Sequence, residues 1–342
     1  MACVKVGGQT VLFENGPHIV GFGCVAGRKE GQGPLGRQFG HVDTDDRFGQ
    51  DSWEKAESEM QKRALDAALS KAGVQEGQVD FLFAGDLLNQ CIGSGYAARG
   101  RQVPFFGLYG ACSTMGEGLC LAAITLGSGA GQRAAVCASS HFCTAERQYR
   151  NPLEYGGQRT PTAQWTVTGA GAVVLGQTGR GPQMTACTVG RVVDKGITDA
   201  NNMGAAMAPA AYDTLAAHFR ETGTTPADYD LILTGDLGAL GHEIVTDFFL
   251  QDGIDMRHNY QDCGLLLYDL KKQDMHAGGS GCGCSASVLN GYLLRGMRQK
   301  KWNRILFAPT GALLSPTSTF QGESIPSICH AVVLSNQKGV SQ

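Results

Sequence analysis

Two hydrophobic periods alternate along the chain. Short, near-continuous apolar runs such as Val79-Asp-Phe-Leu-Phe-Ala-Gly85, Arg133-Ala-Ala-Val-Cys-Ala-Ser139 and Gly169-Ala-Gly-Ala-Val-Val-Leu-Gly176 read as strands buried on both faces. Between them lie stretches of helical period. One runs from about Trp53 to Ala72, with Ala56, Met60, Leu65, Ala68 and Leu69 on one face, and another from about Pro209 to Thr222. Met115 to Leu126 has the apolar content of a buried helix, and Val103-Pro-Phe-Phe-Gly107 before it reads as a strand entering a tight turn. Apolar strands alternating with helices predict an α/β protein whose mainly parallel sheet is covered on both faces.

The pattern is written twice. Val79 to Leu87 matches Tyr229 to Leu237 in residue type, position by position, each run ending in Gly-Asp-Leu after an amphipathic helix. Arg133 to Ser139 pairs with Arg304 to Thr310, and Gly169 to Gly176 with Ser327 to Ser335, in the same order. This predicts duplicated halves at residues 1–178 and 179–342. Ligands of doubly wound sheets bind beyond the carboxyl ends of the strands. The Gly85-Asp86 and Gly235-Asp236 turns, Cys112, and the Gly-rich segment Met275 to Ser287 are therefore expected around one crevice.

Composition narrows the function classes. Hydrophobic residues make up 42% and charged residues 17% of the 342 residues, with a net charge of −3, so no basic excess points to nucleic acid. No apolar run approaches the roughly 20 residues needed to span a bilayer, and the N-terminus lacks the pattern of a signal peptide. Cytoplasmic synthesis with at most peripheral membrane association is expected. The 12 cysteines are scattered through apolar segments without a Cys-x-x-Cys spacing, which predicts reduced, buried thiols and no metal site. Cys282 and Cys284 are expected to pack against the sheet.

Chemistry concentrates at Gly110-Ala-Cys-Ser-Thr-Met-Gly116, where Cys112 falls at a strand-to-helix elbow. Unpaired N–H groups and the positive end of a helix favour a thiolate at such a place, and small neighbours let a ligand approach. The alternative is a buried structural cysteine.

The duplicated halves, the Ala111-Cys-Ser-Thr114 elbow, the Gly-Ala-Gly-Ala-Val-Val-Leu strand and the late Gly-rich helix start resemble the thiolase and 3-ketoacyl synthase superfamily over nearly the whole chain. That implies a thiolase-like fold with mainly parallel mixed sheets and helices in αβαβα layers. Longer runs narrow the resemblance to the stage V sporulation protein AD family. They are Phe13 to Ile19, Gly40 to Asp46, Gly85 to Gln90, Tyr109 to Glu117, Ser139 to Arg150 and Arg159 to Trp165. Residue by residue, Cys112 takes the superfamily's nucleophile position, and His276 falls near a position occupied by His or Asn. The second donor's place reads Thr234-Gly-Asp236, and a carboxylate there would repel a developing oxyanion.

Claisen chemistry is accordingly not expected. The resemblance implies instead binding of dipicolinic acid in the old acyl pocket, alongside the other stage V sporulation A membrane proteins at the spore inner membrane. No cofactor is implied beyond calcium carried in with the ligand, for which Asp86 or Asp236 would supply oxygens. Candidate carboxylate donors are Cys112, His276, His141, Arg147, Arg150 and Arg159, with Tyr149 or Tyr155 stacking on the ring. Two other readings stay open: a Cys112 acyltransferase using His276, and a scaffold with a vestigial pocket. By superfamily analogy a homodimer is expected, through the strand near Ala134 to Ser140.

Overall fold

The computed structural model describes residues 3–149 and 159–336. Ten strands carry the two halves. The first holds β1 (His18–Ala26), β2 (Phe81–Gly85), β3 (Phe105–Leu108), β4 (Arg133–Ser140) and β5 (Gly169–Gly176). The second holds β6 (Gln183–Thr188), β7 (Leu231–Gly235), β8 (Tyr260–Asp262), β9 (Arg304–Ala312) and β10 (Ala331–Ser335). Their spatial orders are β3-β2-β4-β5-β1 and β8-β7-β9-β10-β6, so the second half repeats the first strand for strand. β2 runs parallel to β3 and β4, as β7 does to β8 and β9. The remaining pairs within each half are antiparallel. Gln183 opposite His18, together with the strand Thr10–Phe13 beside β6, joins the halves into one hydrogen-bonded path.

Helices fill the layers around and between the halves. α1 (Trp53–Ala72) covers the outer face of β1 and β5. α2 (Thr114–Gly127) lies between the halves and touches strands of both. α3 (Met203–Thr222) and α4 (Gly238–Gln251) cover the outer face of the second half. α5 (Cys282–Val288) packs on β4 and β5 and continues through a π turn, Leu289–Leu293, into α6 (Leu294–Arg298).

Three apolar cores follow from these layers. Met60, Ala64 and Leu82 seal α1 to its sheet, Met207, Leu215 and Phe249 seal α3 and α4 to theirs, and Met115, Leu119 and Leu289 fill the space between halves. This is the αβαβα layering of the thiolase-like fold. α2 can serve as a central layer because it is apolar almost all round, as a helix sandwiched between two sheets must be.

Local signals set the helix ends. The Ser52 side chain accepts from the Lys55 amide and Gly73 closes α1 in the left-handed region. α3 begins at Met203, earlier than the Pro209 start suggested by sequence, because the Asn202 side chain caps it through the Ala205 amide and Pro209 sits inside. The Ser327 to Ser335 run is broken at His330 into Ser327–Cys329 and β10, which pair with the end and the start of β9. β4, the expected subunit strand, has both edges occupied by β2 and β5. The strand lying at the sheet's margin in that half is β3, with Phe105 and Phe106 exposed. Among the described residues, no helix is long and apolar enough to cross a membrane.

Candidate functional site

Cys112 lies in a single 3-10 turn, Ala111–Ser113, immediately ahead of α2. The turn is tightly held. Ser113 donates through its amide (3.0 Å) and its hydroxyl (2.6 Å) to the Gly110 carbonyl, and the Thr114 hydroxyl donates to the Ala111 carbonyl at 2.6 Å. Ala111 stands at φ 48°, a left-handed conformation costly for a residue with a Cβ. Opposite it, a Cβ on Gly311 would meet the Gly110 carbonyl at 2.2 Å, so β9 approaches the elbow as only glycine permits.

The start of α5 is fastened to the same elbow. The Cys282 thiol donates to the Ala111 carbonyl at 2.9 Å. Gly279–Ser280 pairs in parallel with Trp165–Thr166. Gly281, at φ 99°, has no room for a Cβ, which would fall 2.5 Å from the Ser140 hydroxyl oxygen.

These elements border about 400 Å³ of empty space that includes open solvent. Leu87, Ala145, Met203 and Leu314 form apolar walls, and Cys112, Tyr109, Tyr149, Thr166 and Ser280 bring polar atoms to it. Tyr149 donates its hydroxyl to the Leu87 carbonyl, so the 2.9 Å bond between the two phenols has Tyr109 as donor. Burial raises both phenol pKa values, that of Tyr149 to about 12. The Thr166 hydroxyl donates to the Glu146 carboxylate at 2.8 Å. Among the described residues no imidazole, carboxamide or cation lines the cavity.

Of the described members of the sequence-predicted set, Cys112 and Tyr149 alone line this space. His276 bonds the Thr160 carbonyl at 2.7 Å and the Asp274 carboxylate at 3.2 Å, away from the lining. Arg159 is spent on the same Asp274, bonding its carbonyl and carboxylate at 2.7 Å each while lying over Trp165. Arg147 pairs with Glu54. His141 is buried: the Cys143 amide donates to its Nδ1 (3.1 Å), so Nε2 carries the proton and donates to the Asp46 carbonyl (2.8 Å). Burial lowers its pKa, keeping it neutral. Arg150 and Tyr155 lie outside the described residues.

The two carboxyls placed at the crevice are also buried apart from it. Asp86 caps its own loop, accepting from the Leu88 amide at 2.8 Å and from the Ser94 amide and hydroxyl at 2.6 Å. Asp236, at φ 72°, faces the Cys284 thiol and the Gly281 amide, and neither carboxyl oxygen reaches a full hydrogen bond among the described residues. Burial drives its pKa far up, with the neighbouring Asp262 adding to the shift. Burial thus favours the neutral acid at Asp236 and weakens the repulsion that a carboxylate there would exert. No group of three or more His, Cys, Asp or Glu suited to a metal occurs among the described residues, and all 12 cysteines are free thiols.

Sequence reasoning missed Tyr109, Thr166, Ser280 and Met203. Tyr109 directly precedes the elbow glycine and Ser280 directly precedes the constrained Gly281, which are signals a reader could use. Thr166 and Met203 carry none, because each comes to the cavity by pairing or packing with a distant segment.

Known proteins fit this geometry. 3-Oxoacyl-[acyl-carrier-protein] synthase III from Aquifex aeolicus superposes with a TM-score of 0.54 at 14% identity, covering 94% of this chain and 100% of that one. Cerulenin-bound OleA from Xanthomonas campestris gives 0.57 at 17% identity, covering 95% and 97%. At such identities these likenesses establish the fold alone. Stage V sporulation protein AD of Bacillus subtilis is 46% identical over 335 residues, 98% of this chain and 99% of that protein. The profile of the stage V sporulation protein AD family matches residues 7–335, and the chain belongs to that family.

Proposed function

We propose that this chain is a sporulation and germination protein that binds dipicolinic acid, free or as its calcium complex, in the cavity at Cys112. In this reading it is a subunit of the membrane dipicolinate-transport apparatus, working with the other stage V sporulation A membrane proteins at the spore inner membrane. The observation that carries binding over turnover is the cavity lining. It keeps the thiol at a helix start but, among the described residues, has no imidazole or side-chain carboxamide to activate the thiol or polarise a thioester carbonyl. Two tyrosines offer flat walls to an aromatic ring, the Tyr109 oxygen can accept from a protonated carboxyl, and the Ser280 and Cys112 polar atoms offer further neutral partners. With no cation among the described residues of that lining, a dianion would enter with its charge compensated by protons or by calcium.

Calorimetric titration of the protein with dipicolinic acid, with and without calcium, tests this. Saturable binding that weakens in Cys112→Ala and Tyr109→Phe, and is kept in His276→Ala, is the expected outcome. Absence of heat and of thermal shift at millimolar ligand would sink it.

The strained Ala111 elbow supports a second reading, acyl transfer through a Cys112 thioester. It requires a discrete mass increase with an acyl-thioester donor that is lost in Cys112→Ala. A homodimer is proposed through β3, the marginal strand with Phe105 and Phe106 exposed, rather than through the enclosed β4.

A further inference from the structure

Between Asp274 and Glu323 the chain has no acidic residue, yet Arg295, Arg298, Lys300 and Lys301 fall within this stretch. They gather at the end of α6 and meet a fifth cation, Lys71, at the end of α1. Lys71 Nζ lies 4.5 Å and the Arg298 guanidinium 5.1 Å from the ring centre of the buried Phe22, so both side chains lie over one ring. Arg295 donates to the Gln38 carbonyl, next in sequence to the exposed Arg37. Arg295 and Arg298 depress the Lys71 pKa, though burial of the ammonium is the larger cause.

None of Lys71, Arg295, Arg298, Lys300 and Lys301 forms an ion pair with a carboxylate among the described residues. Other surface cations of the molecule do, such as Arg63 with Asp43 and Arg101 with Asp66. Asp230, the carboxylate beside this stretch, is taken by the amides of Asn303 (2.6 Å) and Arg304 (3.0 Å). Two helix C-termini, of α1 and α6, each present roughly half a negative charge. They offset about one of the five cations and leave the rest unmatched.

Aromatic side chains stand among these cations. Tyr292 and Trp302 meet edge to face at 5.1 Å, and Lys301 Nζ lies 4.9 Å and 4.4 Å from their ring centres. Tyrosine and tryptophan beside lysine and arginine form the composition favoured at the headgroup level of a bilayer. The face also lies away from the cavity. The helix from Cys282 starts beside Ser280 and reaches Arg298 after 17 residues, roughly 25 Å along its axis.

We propose that this face, built from Lys71, Arg295, Arg298, Lys300 and Lys301 around Tyr292 and Trp302, docks the chain on a bilayer bearing anionic headgroups. The cavity lies at the other end of that helical path, and the docking does not depend on what the cavity holds. Each Lys or Arg near an anionic membrane strengthens binding by about fivefold.

Co-sedimentation of the full chain with phosphatidylglycerol-phosphatidylcholine vesicles, against phosphatidylcholine alone, reads the docking. Binding to the anionic vesicles, lost at raised salt, is expected. The variant Arg298→Gln/Lys300→Gln/Lys301→Gln should bind roughly a hundredfold more weakly. If removing Arg298 from Phe22 perturbs folding, Lys300→Gln/Lys301→Gln leaves that packing intact and should lose roughly thirtyfold. The control Arg191→Gln/Arg257→Gln changes exposed charges elsewhere and should bind as the parent does. Equal binding to neutral vesicles, or undiminished binding by the lysine pair variant, would overturn the proposal. So would retention on immobilised polyglutamate without vesicle binding, which would assign the face to an acidic protein.

Discussion

Replacing Glu57 by glutamine should make the protein more stable in alkali while changing little in mild acid. Glu57 is buried on α1 with Asp86 close by, and no cation among the described residues pairs with it. Its oxygens meet the Ser139 hydroxyl at 3.0 Å and the Thr144 hydroxyl at 2.7 Å. Thr144 has a single hydroxyl proton for two acceptors, Glu57 and the His141 carbonyl (2.9 Å), so a proton on Glu57, donated to Thr144, frees that hydroxyl for His141. Asp86 accepts three hydrogen bonds and is the better carboxylate of the two, so Glu57 is the one that keeps a proton. Desolvation first, then the Asp86 charge, push the Glu57 pKa up from 4.5 to about 8.

A carboxyl raised in this way contributes its full stability below its unfolded pKa and loses it as pH rises through the folded value. The window therefore runs from 4.5 to about 8. At about 1.4 kcal/mol per unit, the upper bound on the loss is roughly 4–5 kcal/mol. Glutamine keeps the shape, donates to Thr144 and accepts from Ser139 without titrating. Urea unfolding of parent and Glu57→Gln across the window should give curves that meet near its acidic end and diverge by several kcal/mol in alkali, with the variant above. A constant offset at every pH, or a variant less stable in alkali, would refute a protonated Glu57. The outcome bears on the cavity because the helix Phe142–Tyr149 that holds Thr144 also carries Ala145 and Tyr149 into its wall.

Three further outcomes are expected. Asp236→Asn should match or exceed the parent's melting temperature near neutral pH and leave dipicolinate titrations unchanged, since the acid is buried neutral and asparagine tolerates its positive φ. His218, lodged between Thr188 at 2.8 Å and the Tyr229 hydroxyl at 2.7 Å, has its pKa lowered by burial to about 3. Stability should therefore fall with pH from the ordinary histidine range toward that value, and His218→Gln should flatten the acid limb of a chemical-denaturation series. Leu119→Ala, in the fully buried centre of α2, should cost about 2–5 kcal/mol in urea unfolding and leave the wavelength-scan helix content near that of the parent.

Much of the fold was legible in the sequence because its signals are local or repeated. α1 falls where its apolar stripe runs, and its ends carry their own caps in Ser52 and Gly73. The two Gly-Asp-Leu turns end equivalent strands, β2 and β7. Cys112 stands out because small residues, a strand and an apolar helix surround it within a few positions. His276 and Asp236 were harder, because their neighbourhoods suggested a crevice and only packing fixes a side chain's direction. His276 turns to Asp274 and Thr160, and Asp236 turns inward behind α5.

The sequence by itself determined the duplicated α/β architecture, the elbow and the family. Those depend on periodicity, composition and short motifs, which travel with the chain. Tertiary structure alone decided the composition of the cavity, the protonation of Glu57 and Asp236, and the unpaired basic face at the ends of α1 and α6. Each of these depends on charges and hydroxyls that are far apart along the chain and meet only when the layers close. Desolvation then fixes their ionisation, and burial in a low-dielectric layer has no counterpart in the order of residues.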